Sequence, residues 1–191
     1  MVKVLFAILI LAPMACWAHL THGQPTVLSG VMHPLSGWDH MLALLAIGWM
    51  AWQQKSALGM AVLPSTFIGG LVAGALLGVS GFAPVSMEYG IAFSLLMFGV
   101  FMALVVKVRY VWPFVLIAGL YHGFAHGAEM PANSGAVAYF AGFLFCSVIL
   151  VFLGLQGHQR LAQTVLFQKI RKAISGVLIL AGLYMISGIH S

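Results

Sequence analysis

The sequence predicts an all-α fold, a polytopic membrane bundle of about six transmembrane helices after a cleavable signal peptide, and three observations predict it. Of 191 residues, 62% are hydrophobic and only 6% are charged, whereas soluble domains carry roughly a quarter charged residues. The mean hydropathy of +1.07 leaves no stretch polar enough for a soluble domain beside the apolar ones. Those apolar residues fall into runs of about 20, the length that crosses a lipid bilayer as a helix, and glycines, prolines and most of the charges separate the runs.

Residues 1–18 read as a signal peptide. Lys3 is followed by an apolar run over 4–12, Pro13, and then Cys16-Trp17-Ala18, which has small residues where a signal peptidase reads them. Cleavage is expected before His19. Lipidation of Cys16 is an alternative, weakened by Pro13 standing where a lipoprotein box has leucine, and an uncleaved leader would be a seventh, short span. Residues 19–191 then form a single transmembrane domain with spans at about 34–53, 57–79, 87–106, 111–128, 135–156 and 173–189. In the second span, Gly70, Gly74 and Gly78 recur every fourth residue, which bares one helix face for close approach by another helix. With Cys16 in the leader and Cys146 in a span, the mature chain has no pair for an internal disulfide.

The formal charge of +5 is topogenic. If His19 lies outside, Lys55, Lys107, Arg109, Arg160, Lys169, Arg171 and Lys172 all fall on inner connections and none on outer ones, as the positive-inside rule requires. Such a distribution argues against nucleic acid as a partner. It predicts a multi-pass protein of a bacterial inner membrane with both mature termini outside. Trp49, Trp52, Tyr110 and Trp112 near inner ends, and Trp38 near an outer one, fit an interfacial aromatic belt.

In so apolar a chain, polar groups can be enumerated. The acids are Asp39, Glu88 and Glu129, and this topology puts all three at outer ends of spans. Six of the eight histidines follow them outward: His33 and His40 around the start of the first span, His122 and His126 in the fourth, and His19 and His22 in the exported segment. On one continuous helix, residues seven apart such as His33 and His40 lie within about 20° of each other, and His122, His126 and Glu129 form a single stripe. An ionisable group at mid-bilayer costs roughly 2.5–3.5 kcal/mol and therefore faces the bundle interior or a cavity. A lone histidine of this kind usually hydrogen-bonds a neighbouring helix, but this many histidines and carboxylates on one side point to a metal site.

Imidazole with carboxylate suits nickel, cobalt, zinc or copper. The candidate ligands are His33, Asp39, His40, His122, His126 and Glu129, with Glu88 as a further ligand or orienting carboxylate. Cleavage would also free an α-amine beside His19, with His22 three residues on, as a chelating trio at the mouth; the plain alternative is a polar tail. The eleven methionines read as packing, and His158 and His190 as surface or terminal residues. No phosphate loop of the Walker type is present, so nucleotide hydrolysis by that route is not expected. Two rival classes use the same residues: an intramembrane zinc-dependent hydrolase, with Ser36 or Glu88 assisting, and a bis-histidine haem protein.

Two motifs carry a resemblance. The first is His33-Pro34-Leu35-Ser36-Gly37-Trp38-Asp39-His40, and the second Tyr121-His122-Gly123-Phe124-Ala125-His126-Gly127-Ala128-Glu129. Together with the leader ending in Ala-His and Glu88 followed by Ile91-Ala92 and Ser94, they resemble the HupE/UreJ family of nickel/cobalt permeases over most of the chain. Tyr121 stands where that family usually has phenylalanine, a change that preserves packing. The resemblance implies a transmembrane metal-permease domain, no enzyme activity, and Ni2+ or Co2+ as transported substrate rather than permanently bound cofactor, supplied to hydrogenase, urease or cobalt-using enzymes.

Overall fold

The computed structural model describes residues 26–82, 84, 86–130 and 135–188, and within them the chain is seven helices with no strand. These are α1 (Val27–Ser36), α2 (Trp38–Gln53), α3 (Ala57–Val79), α4 (Met87–Leu104), α5 (Val108–Ala128), α6 (Ala136–Leu161) and α7 (Phe167–Gly188). Four of them, α3, α4, α6 and α7, are long and apolar enough to cross a membrane. The expected signal peptide, His19, His22 and His190 lie outside the described residues.

The expected first span, 34–53, is not one helix. A capping box between Thr26 and Ser29 starts α1 earlier, at Val27, and the helix stops at Ser36. Pro34 removes a backbone donor from the last turns of α1, and Gly37 adopts extended angles (φ −94°, ψ 106°) before α2 begins. His33 and His40 therefore stand on separate helices rather than on one stripe. At the other end of the chain, α7 starts at Phe167 rather than near 173, which carries Lys169, Arg171 and Lys172 into helix.

Glycines set the helix pairings. The broadest contact is α3 against α5, where Gly70, Gly74 and Gly78 meet a second ladder, Gly119, Gly123 and Gly127. A Cβ on Gly123 would collide with the carbonyl oxygen of Leu71, and one on Gly74 with that of Leu120, so the two backbones touch as they do between small-residue helices in membranes. The device recurs with Gly48 and Gly154 between α2 and α6, Gly30 and Gly142 between α1 and α6, and Gly99 and Gly182 between α4 and α7. Ile47, Phe67, Leu95, Phe98, Val115 and Phe143 fill the core between them.

The bundle is polarised end to end. At one end lie the basic residues, where Gln53 Nε2 donates to the carbonyl of Met102 (3.1 Å) and Arg171 Nη1 to that of Ala103 (3.0 Å), tying α2 and α7 to the end of α4. His158 belongs to this end and is not a surface residue: it is 7% exposed, edge-on to Trp49 at 4.9 Å and to Phe167 at 5.0 Å. Helix α6 runs on to Leu161 and so carries this imidazole inside. The acids and the remaining described histidines occupy the opposite end.

Candidate metal-binding site

Helix α5 spends its glycine face on α3, so His122 and His126, each immediately before a ladder glycine, turn toward α1, α2 and α6. His126 is 2% exposed and packs on Phe143 of α6 at 4.2 Å between ring centres. His33 from α1 and His40 from α2 meet it from either side of the Gly37 break, with ring centres 4.8 and 4.3 Å from that of His126. The break thus achieves by bending what a continuous helix was expected to achieve by period.

Three ligand atoms converge. His33 Nε2 lies 2.8 Å from His126 Nδ1 and 3.2 Å from Glu129 Oε2, and the three groups lie within 4.8 Å of one another. Metal–nitrogen bonds of about 2.0–2.1 Å put neighbouring ligand atoms about 2.9 Å apart at a right angle and about 3.4 Å apart in a tetrahedron. The two separations from His33 Nε2 have that bite, while the third ligand pair, His126 with Glu129, is held only within 4.8 Å. Those two are also hydrogen-bond distances, so the groups hold one another in place. Glu129 caps the end of α5, and its hydrogen bond with His33 holds its carboxyl below the usual range, against the opposing effect of partial burial.

Asp39 takes a different part. Its Oδ2 lies 3.0 Å from His40 Nδ1, which makes Nδ1–H the donor and leaves Nε2 as the bare nitrogen. That Nε2 is buried with no hydrogen-bond partner among the described residues, as is Nε2 of His126. An unpaired buried polar atom costs about 1–3 kcal/mol, which a ligand would relieve. A carboxylate behind a ligating imidazole is the usual way of fixing its ring and raising its basicity. Gly37 makes room for the pair: a Cβ there would press on Asp39 Oδ1 at 3.0 Å and His40 Nδ1 at 3.1 Å.

His122 is set deeper, 1% exposed, edge-on to His40 at 4.8 Å, with Nε2 3.0 Å from Ser94 Oγ of α4. Glu88 is not brought to the cluster. It stands exposed in the first turn of α4, with no hydrogen bond or ion pair to these histidines among the described residues. Ser36 donates instead to the carbonyl of His33 (2.6 Å), so neither group that a hydrolase would recruit bonds the imidazoles. The contact of His33 with His126 likewise leaves no slot for a haem between them. Sequence reasoning missed Ser94 as a partner of His122 and Phe143 and Tyr139 as walls; the one available signal was a lone hydroxyl in an otherwise apolar stretch of α4.

Fold and site together define a multi-pass helical membrane protein with a cluster of histidines, running from the surface inward, and carboxylates at one end of its bundle. The family model described as HupE / UreJ protein matches residues 7–185, and the chain belongs to that family. It is 35% identical over 181 residues to Protein HupE of Rhizobium leguminosarum bv. viciae, with 92% of each chain covered. No solved structure matches it.

Proposed function

We propose that this protein is a secondary importer of a divalent transition metal, nickel or cobalt, which binds at an outward-facing mouth formed by His33, His126 and Glu129 and passes inward by way of His40 and His122. The observation that carries the reading is the convergence of three ligand atoms from α1 and the end of α5, two of them at metal-bite spacing from His33 Nε2, beside a third imidazole, that of His40, whose Nε2 has no partner among the described residues. Membership of a family whose members resemble nickel/cobalt permeases supports the choice of ion. The ion is cargo rather than cofactor, and the chain acts as a carrier for nickel-enzyme or cobalt-cofactor maturation, not as an enzyme.

In this reading α2 to α7 are the six crossings and α1 is a short outer helix. The membrane is the bacterial inner one, the signal peptide is removed before His19, and both mature termini lie outside. The freed amine with His19 and His22 loads the mouth, and Glu88, exposed in the first turn of α4 and apart from the cluster, adds negative charge at the same end of the bundle. Asp39 fixes the His40 ring. A membrane potential of 100 mV favours inward movement of a divalent cation by about 4.6 kcal/mol, twice the single-charge figure, so uptake needs no nucleotide.

The test is uptake of radioactive nickel and cobalt at trace concentration by cells expressing the wild-type chain, His40→Ala or His126→Ala at matched membrane abundance. Wild-type uptake that both variants lose is the expected result. Wild-type cells that accumulate no more of either metal than empty cells would sink the proposal.

A further inference from the structure

We propose that Ser94 is a positioning residue for metal transfer: its hydroxyl accepts a hydrogen bond from His122 Nε2–H, fixing the tautomer of that imidazole and leaving Nδ1 as the atom that meets the ion. The inference rests on the reading of the site as a transport site and adds to it a residue from α4, which supplies no other group to the cluster.

Proton bookkeeping carries the assignment. Ser94 Oγ makes two contacts, with the carbonyl oxygen of Ile91 at 2.7 Å and with His122 Nε2 at 3.0 Å. A carbonyl oxygen has no proton to give, so the shorter contact takes the single hydroxyl proton of Ser94. The other contact is then a hydrogen bond only if His122 donates it. A neutral imidazole has one N–H, so Nε2–H leaves Nδ1 bare. The ring cannot turn to exchange its nitrogens freely, because His122 and Ser94 are each 1% exposed and Phe67 lies against the imidazole with ring centres 5.5 Å apart.

The location gives this tautomer a use. One helical turn separates His122 from His126, about 6 Å along α5, and His122 meets His40 but not His33 or Glu129. His40 offers Nε2 because Asp39 takes its Nδ1–H; His122 offers Nδ1 because Ser94 takes its Nε2–H. Each inner imidazole therefore has one nitrogen committed to an orienting oxygen and one left for the ion. His126, the member of the mouth whose ring touches both His33 and His40, links the mouth to this inner pair. Ser94 also borders a cavity of about 210 Å³, lined by Tyr89, Phe93, Phe114 and Tyr121 among others, so there is open space beside it.

The experiment uses the full chain in detergent, labelled with nitrogen-15 at histidine, for tautomer assignment by NMR, together with nickel uptake by cells. Wild-type His122 is expected as the Nε2–H form. In Ser94→Ala the form becomes mixed and the maximal uptake rate falls 10- to 100-fold, the usual cost of losing an orienting partner, while half-saturation, set at the mouth, stays within about twofold. Ser94→Thr, which keeps the hydroxyl, restores most of the rate. An Nδ1–H form in the wild type overturns the proposal while leaving transport intact. So does Ser94→Ala with unchanged uptake, or equal loss in the alanine and threonine variants. A wild-type chain that moves no nickel or cobalt removes the transport reading itself, whatever the tautomer.

Discussion

Asp39 and His40 are adjacent in sequence and at hydrogen-bond distance in space, and that pair decides how the cluster presents its nitrogens. Asp39→Asn keeps the size of the side chain and an accepting oxygen but removes the charge that strengthens the bond. Cobalt affinity of the purified protein is expected to fall 10- to 100-fold, the usual cost of losing an orienting carboxylate, as read by calorimetric titration; unchanged affinity would return Asp39 to the role of bystander. Gly37→Ala presses on both residues from behind, through contacts of 3.0 and 3.1 Å, and is expected to weaken cobalt binding with little change in melting temperature. Acidification from pH 7 to pH 5 should act through imidazole, which must be neutral to ligate. Glu129 stays ionised throughout that range because its carboxyl is held low by His33. Cobalt affinity is therefore expected to fall as the pH is lowered, in Glu129→Gln as in the wild type; a pH dependence abolished by Glu129→Gln would assign the titration to the carboxylate. His33, His40, His122, His126 and Glu129 were legible beforehand because polar residues are few and topology sorts them to one end. The role of Asp39 and the partner of His122 were not, since those depend on which helix lies alongside.

At the scale of helices, the two glycine ladders of α3 and α5 position the site as much as any ligand does. Gly123 and Gly127 belong to the histidine motif, yet what they touch is α3, at the backbone of Leu71 and Ala75. Only small residues there let α5 approach with His122 and His126 turned the other way. Gly123→Ala forces the helices apart and is expected to cost about 1–3 kcal/mol, the usual penalty of overpacking, seen as a lower melting temperature in detergent. Gly176→Ala, where a Cβ meets nothing within 4 Å, serves as the control and should melt with the wild type; equal loss in both would mean that helix contact is not the cause. A ladder on α3 was readable from its spacing, but its partner was hidden inside a motif already given a chemical meaning. The break at Gly37 was hidden for a related reason: the apolar pattern runs on across it, and only the missing donor of Pro34 and the extended angles of Gly37 separate α1 from α2. A further strain point was equally invisible. Val105 ends α4 in the left-handed region at φ 53°, where a β-branched residue costs about 1–3 kcal/mol, so Val105→Gly is expected to raise the melting temperature.

For the whole molecule the separation of charge is the informative property. Lys55, Lys107, Arg109, Arg160, Lys169, Arg171 and Lys172 occupy one end of the bundle, and the histidines with Asp39, Glu88 and Glu129 the other. In the proposed orientation the basic end faces the cytoplasm, since basic segments resist translocation, and the cluster faces outward, where the membrane potential draws a bound cation in. Orientation, not ligand chemistry, is what separates an importer from an exporter here, and this makes it worth measuring directly. Single cysteines at Ser80, exposed beyond α3 at the histidine end, and at Val165, fully exposed between α6 and α7, bracket the bundle when Cys16 and Cys146 are replaced by alanine. A membrane-impermeant maleimide applied to intact spheroplasts is expected to label Ser80→Cys and to spare Val165→Cys until the membrane is opened. The reverse pattern would turn the cluster toward the cytoplasm, where the same potential opposes departure of the ion, and import through this mouth would no longer follow from the structure.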